Sequence, residues 1–182
     1  MTALFIILGI LVLVAIWAIS TYNRFVGMRT RVEEAFSTID VFLKKRYDLI
    51  PNVVETVKGY AGHEKETLEA VISARNKAVS STPEERGEAE GELTNALSRL
   101  LMLSEAYPDL KANTNFMELQ KQLGTLESEI EKARRYYNGI AAQMNTAIQQ
   151  FPSNIIASRF GFIQAPFFEA EETHRENVKV EF

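Results

Sequence analysis

The feature that most constrains this chain is an unbroken apolar run from Ala3 to Ile19, which Ser20, Thr21 and Tyr22 extend without adding charge. About 20 helical residues at ~1.5 Å each cover the ~30 Å hydrocarbon core of a bilayer, so the run is long enough to cross one. Trp17 and Tyr22 stand at one end, where amphipathic rings prefer the membrane interface. The alternative is a cleaved signal peptide, because Ala18-Ile19-Ser20 has the small-x-small spacing of a cleavage site. Against it, no basic n-region precedes the run, and the run exceeds an ordinary h-region. It reads as an anchor. Only Met1 and Thr2 lie before it, while Arg24, Arg29 and Arg31, then Lys44, Lys45 and Arg46, follow. The positive-inside rule then expects a short external N-terminus and a cytoplasmic body.

Composition narrows the function classes. With no cysteine, disulfide scaffolds, thiolate metal sites and cysteine nucleophiles are all excluded. The formal net charge of −4 argues against nucleic acid as a partner. His63 and His174 are the only histidines and lie far apart, which leaves little for metal or acid–base chemistry. No cofactor is expected. His63-Glu64-Lys65-Glu66-Thr67 resembles a zincin helix, but Thr67 stands where the second histidine ligand belongs, so the segment reads as an exposed helical turn.

Beyond the anchor the apolar spacing is helical throughout. Phe25, Met28, Val32, Ala35/Phe36, Ile39 and Phe42/Leu43 step by threes and fours, and Val54, Val57 and Ala61, then Leu68, Val71/Ile72 and Val79, repeat the pattern, with Glu64 filling one seam position. Ser80-Ser81-Thr82-Pro83 breaks the pattern. Thr82 there is a natural N-cap, Pro83 fits a first helical position and Glu85 completes a capping box. Leu93, Leu97 and Leu100 mark a third helix, closed by Tyr107-Pro108-Asp109. The longest seam runs through Phe116, Leu119, Leu123, Leu126, Ile130, Ala133, Tyr137, Ile140, Met144, Ile148 and Phe151, with Asn115 and Glu118 able to cap its start and Pro152 ending it.

The expected fold is all-α: an N-terminal transmembrane helix (1–22), an antiparallel up-and-down helical bundle (23–152) and an aromatic C-terminal tail (153–182). A turn at Ile50-Pro51, which proline at a first helical position favours, gives four helices. A kinked long first helix gives three.

Three groups of side chains are candidate contacts. Arg46, Asp48, Asn52, Glu55 and Lys58 form a polar cluster. The first four are expected to bond to one another and cap the helix ends at the Pro51 turn, or alternatively to meet a ligand or partner. Arg134, Tyr137, Asn138 and Asn145 line the last seam, where Tyr137 is expected in the core and Asn145 is expected to fix register. Glu127 is expected to pair with an arginine such as Arg75 or Arg134. Six of the 11 phenylalanines fall after residue 150, among them Phe160, Phe162, Phe167 and Phe168 of the tail, and Glu169, Glu171 and Glu172 follow. Such a tail either folds back over the bundle or serves as an aromatic wedge for membrane or partner.

Several of these stretches together resemble the LemA family. They are Tyr22-Asn23, the run from Val32 to Val41, and Arg46-Tyr47-Asp48-Leu49-Ile50-Pro51-Asn52 followed by Val57-Lys58-Gly59-Tyr60-Ala61. Tyr107-Pro108-Asp109-Leu110-Lys111-Ala112, Ala133 to Asn138 and Phe151 to Ala157 match the same pattern. The resemblance covers almost the whole chain. It implies a membrane-anchored helical bundle with no established enzymatic activity, and extends more loosely to a helical magnetosome membrane protein. It also implies an association with membrane proteases and TPM-domain proteins. The expected function is therefore non-enzymatic: self-association or interaction with a membrane protein, or else an accessory role to a membrane protease.

Overall fold

A computed structural model describes residues 1–82 and 85–168. Pro83, Glu169, Glu171, Glu172, His174 and Phe182 lie outside the described residues. Among those described, no strand forms. Helices α1 (Thr2–Ala61), α2 (Lys65–Ser80), α3 (Arg86–Met102), α4 (Pro108–Lys111), α5 (Thr114–Gln149) and α6 (Ser153–Phe160) follow in order, with a 3-10 turn at Leu103–Glu105. The chain forms two compact units, one built from Met1–Ile39 and Lys132–Phe167, the other from Asp40–Glu131 and, among the described residues, Phe168.

The unit from Asp40 to Glu131 is an up-and-down bundle. Its core takes Ile50, Val53, Val54 and Val57 from α1, Leu68 and Val71 from α2, Leu93, Leu97 and Leu100 from α3, and Phe116 and Leu123 from α5. Side-chain bonds fix the directions. Arg75 near the end of α2 returns to Tyr47, Glu90 early in α3 meets the same turn of α1, and Asn113 just before α5 donates to the Tyr60 hydroxyl at 2.8 Å. Consecutive segments are therefore antiparallel. Ser81 and Thr82 are non-helical after α2, and the expected capping-box bonds form, the Thr82 amide donating to Glu85 Oε2 at 3.3 Å and the Glu85 amide to Thr82 Oγ1 at 3.4 Å, although α3 starts at Arg86 with Glu85 as its N-cap. The cap of α5 is one turn-start earlier than Asn115, since the Phe116 amide donates to Asn113 Oδ1 at 2.9 Å.

The expected turn at Ile50-Pro51 does not occur. Pro51 lies inside α1, which runs unbroken to Ala61. Proline has no N–H, so the carbonyl four residues back loses its helical donor. That carbonyl belongs to Tyr47, and Arg75 Nε donates to it at 2.9 Å. A side chain from α2 replaces the missing backbone bond, and the helix continues.

In the other unit α1 pairs with the second half of α5. Phe25, Met144, Ala147, Ile156, Ala157 and Phe162 share a core, with Ala18, Val26, Met28, Val32 and Ile148 packed against it. Farther along, the Phe36 and Tyr137 rings meet edge-on at 5.6 Å. Residues early in α1 thus meet residues late in α5, and the two are antiparallel. The most apolar window of α1 has a mean hydropathy of 2.9 and none of it is buried. After α6 the chain reverses at Gly161, whose φ of 71° is left-handed and open to glycine at little steric cost. The Phe162 amide closes that turn by donating to the Ala157 carbonyl at 3.0 Å.

Candidate functional site

The polar centre of the bundle is a single guanidinium. Arg46 is 2% exposed and Glu90 3%. Arg46 Nη2 donates to Glu90 Oε2, and Nη1 donates both to Glu127 and, at 3.2 Å, to Thr94 Oγ1. The Tyr47 hydroxyl donates to Glu90 Oε1. Burial, reinforced by the Glu90 carboxylate, pushes the Tyr47 phenol well above its usual range. The result is one cation shared by carboxylates from α3 and α5, a geometry that pins the register of three helices. A buried ion pair adds little net stability over apolar packing but heavily penalises arrangements that leave one partner alone.

Of the residues singled out in the sequence, Arg46 alone of its cluster is buried. Asp48, Asn52, Glu55 and Lys58 are exposed, and Glu55 pairs weakly with Lys58 at 3.5 Å. The expected capping among Arg46, Asp48, Asn52 and Glu55 is corrected, because the helix they share has no terminus there. Glu127 does pair with an arginine, but with Arg46 rather than Arg75 or Arg134. Glu90 and Thr94 were not singled out. The available signal was Glu90 itself, which continues the α3 seam of Leu93, Leu97 and Leu100 back by three residues, placing a charge at an apolar position. His63 is exposed, and its neighbour Glu64 accepts the Tyr107 hydroxyl at 2.9 Å. Among the described residues no group of three His, Cys, Asp or Glu side chains is arranged to hold a metal ion.

A groove of about 470 Å³ opens beside α1 and α5 in the same unit. Its lining is mostly apolar and includes Leu49 and Leu126, with Lys45, Asp48, Glu118 and Lys121 around it. It therefore presents both signs of charge at the edge of an apolar surface.

Arg134 and Asn138 lie in the other unit, half-buried on α5. Tyr137 is 3% exposed, as expected of a core ring, and its hydroxyl donates to the Pro166 carbonyl at 2.7 Å. Burial raises this phenol too. Asn145 does not bridge helices. Its Nδ2 donates to the Ala165 carbonyl at 2.9 Å and its Oδ1 accepts the Ala165 amide at 2.8 Å, so it clamps the returning segment as a strand neighbour would. In that segment Phe162 stacks on Phe25 at 5.0 Å and Phe168 is buried, whereas Phe160 and Phe167 keep 57% and 52% of their surface in solvent.

An all-helical body with a buried ionic register lock, joined to a helix apolar and long enough to cross a bilayer, defines a membrane-associated helical protein. The LemA family profile matches residues 35–182, and the chain belongs to that family. It is 26% identical over 158 residues to Protein LemA of Metamycoplasma hominis, covering 86% of this chain and 72% of that one. It is 25% identical over 175 residues to Magnetosome protein MamQ 2 of Paramagnetospirillum magneticum. It is 24% identical over 174 residues to Magnetosome protein MamQ of Magnetospirillum gryphiswaldense. The last two matches each cover 81% of this chain and span 64% of the relative's length.

Proposed function

We propose that the chain is a single-pass membrane protein with its N-terminus outside and its helical body in the cytoplasm. It catalyses no reaction and works by association, with further copies of itself or with a membrane-protein partner. The observation that carries this reading is the groove lined by Leu49 and Leu126 and edged by Lys45, Asp48, Glu118 and Lys121. Buried apolar area supplies affinity at such a surface, and paired charges at its edge supply orientation. An anchor in the same bilayer raises the effective concentration of partners, so a modest groove suffices. The ionisable groups nearest the centre of the bundle are committed to one another, which fits a scaffold better than a reaction site.

The test is the native mass of the protein extracted in mild detergent, with Leu126→Glu as the comparison. A homogeneous particle heavier than the 20.6 kDa chain, lost in the variant, is the expected result. A stoichiometric second polypeptide selects the accessory role, with a membrane protease or TPM-domain protein as the partner implied by the family resemblance. A particle of one chain alone overturns the proposal. Cysteines placed at Thr2 and Ser81 report the orientation: an impermeant thiol reagent on intact cells should label the first and spare the second.

A further inference from the structure

The unit that contains the apolar run carries a second surface with an unusual charge pattern. Between Tyr136 and Phe168 the only charged side chain is Arg159, and between Met1 and Val32 there is no acidic residue. Within this stretch Phe151 is 81% exposed, Ile163 79%, Phe160 57% and Ile155 55%. Isolated apolar side chains in water need no explanation, but four on one short helix and its two flanks do.

Their level along α1 is fixed by contacts inside the unit. The Phe160 ring meets Tyr22 edge-on at 4.9 Å, and Phe162 meets the same tyrosine at 5.7 Å. Tyr22 is three residues past Ile19, so it lies only ~4.5 Å beyond the end of the apolar run along the helix axis. Ala18, inside the run, packs against the core that holds Ile156, Ala157 and Phe162. The body of α6 is therefore level with the end of the apolar run, at the depth where headgroups meet acyl chains if that run crosses the bilayer. Arg24 and Arg159 stand near this level without an acidic neighbour in sequence, and farther along α1 the Arg29 guanidinium lies over the Phe162 ring at 5.8 Å and within 4.0 Å of Glu33.

We infer that α6 and its flanks form an interfacial lipid-binding element, a second contact with the same membrane that the apolar helix crosses. Ile156, Ala157 and Phe162 face inward and attach the element to α1 and α5. Phe151, Ile155, Phe160 and Ile163 enter the boundary between headgroups and acyl chains, and the arginines meet anionic phospholipid headgroups. The inference rests on the single-pass reading of the apolar run. It adds that the bilayer, rather than another protein, covers this face.

The experiment uses the full chain reconstituted in vesicles of phosphatidylcholine and phosphatidylglycerol, read by quenching with lipids brominated near the headgroup end of the acyl chain. Trp17 is the only tryptophan and reports the span by itself. In a Trp17→Phe background, Phe160→Trp and Ile163→Trp place the reporter on the proposed surface, and Tyr60→Trp places it on an exposed site of the other unit. Rings at the interface should lose most of their emission to the brominated lipid, while the Tyr60 site should lose none. Both surface variants replace exposed side chains, and each is checked for helical content. Emission at Phe160 and Ile163 that is water-quenchable and blind to brominated lipid overturns the proposal. Blue-shifted emission that is blind to lipid also overturns it, because the face is then covered by protein. If native Trp17 is itself unquenched, the span reading falls and this inference falls with it. Quenching of Trp17 without quenching at α6 removes the inference alone.

Discussion

The two units solve the same problem, holding long helices in register, with opposite chemistry. From Asp40 to Glu131 the fixing contact is a buried charge, Arg46 shared between Glu90 and Glu127. From Lys132 to Phe167, with Met1–Ile39, it is stacked rings and an amide clamp: Phe25 on Phe162, and Asn145 bonded twice to the backbone of Ala165. A charge enforces register through the large penalty of separating it from its partner, so it tolerates few alternatives. Ring stacking and amide pairing enforce position with groups that carry no charge to desolvate.

Truncation of the two central side chains tests that contrast most strongly. Arg46→Ala leaves Glu90 buried without its cation and should cost roughly 3–5 kcal/mol in denaturant unfolding followed by circular dichroism. Replacing Arg46, Glu90 and Glu127 together with apolar residues of similar volume should recover most of that loss. Phe162→Ala should cost about 3–5 kcal/mol at most, from lost burial and the cavity left behind, and no charge substitution should rescue it. If the triple apolar replacement is as damaging as Arg46→Ala, the ionic lock supplies net stability and the contrast between the units narrows.

A smaller effect isolates the repair at Pro51. Arg75→Leu strips the Tyr47 carbonyl of its donor and should cost about 1–3 kcal/mol. Pro51→Ala supplies a backbone N–H to the same carbonyl, so the double variant should lose much less than Arg75→Leu alone. Additive effects of the two substitutions would show that Arg75 stabilises the bundle in some other way.

The smallest effect is alkaline. Tyr47 and Tyr137 are both raised in the fold, so the folded chain keeps protons that the unfolded chain gives up above the ordinary tyrosine value of 10.0. Their contribution is present below that pH and is lost as pH rises past it. Tyr47→Phe should flatten this loss more than Tyr137→Phe, because a carboxylate adds to burial at Tyr47 while burial acts alone at Tyr137. Equal flattening would mean that Glu90 has no electrostatic hold on the phenol.

What the sequence displays depends on how local the cause is. The seams were legible because apolar spacing is a local property, and Phe116, Leu123, Ile130 and Tyr137 are buried as their spacing requires. The Thr82/Glu85 capping box was legible for the same reason. Leu126, also on the seam, is only half-buried, because it borders the groove. Phe151 continues the seam in sequence but lies past the end of α5 and is exposed. Pro51 misled because its compensation comes from Arg75 on another helix, and no local rule contains that partner. Arg46 was recognisable as a polar residue of interest, but its acceptors Glu90 and Glu127 come from helices far away in sequence.

The assignment of residues to units has a consequence for synthesis on the ribosome. The apolar cluster of the second unit, from Ile50 to Leu123, comes from one continuous stretch and is complete as soon as that stretch has been made. Phe25, by contrast, emerges early and is stacked by Phe162, which is added after that whole stretch. At ~5–20 residues per second, the gap between them is on the order of ten seconds. During that interval the face of α1 around Phe25 is without the side chains that bury it in the fold. The stretch around α6, whose only charge is Arg159, then arrives last and covers Phe25.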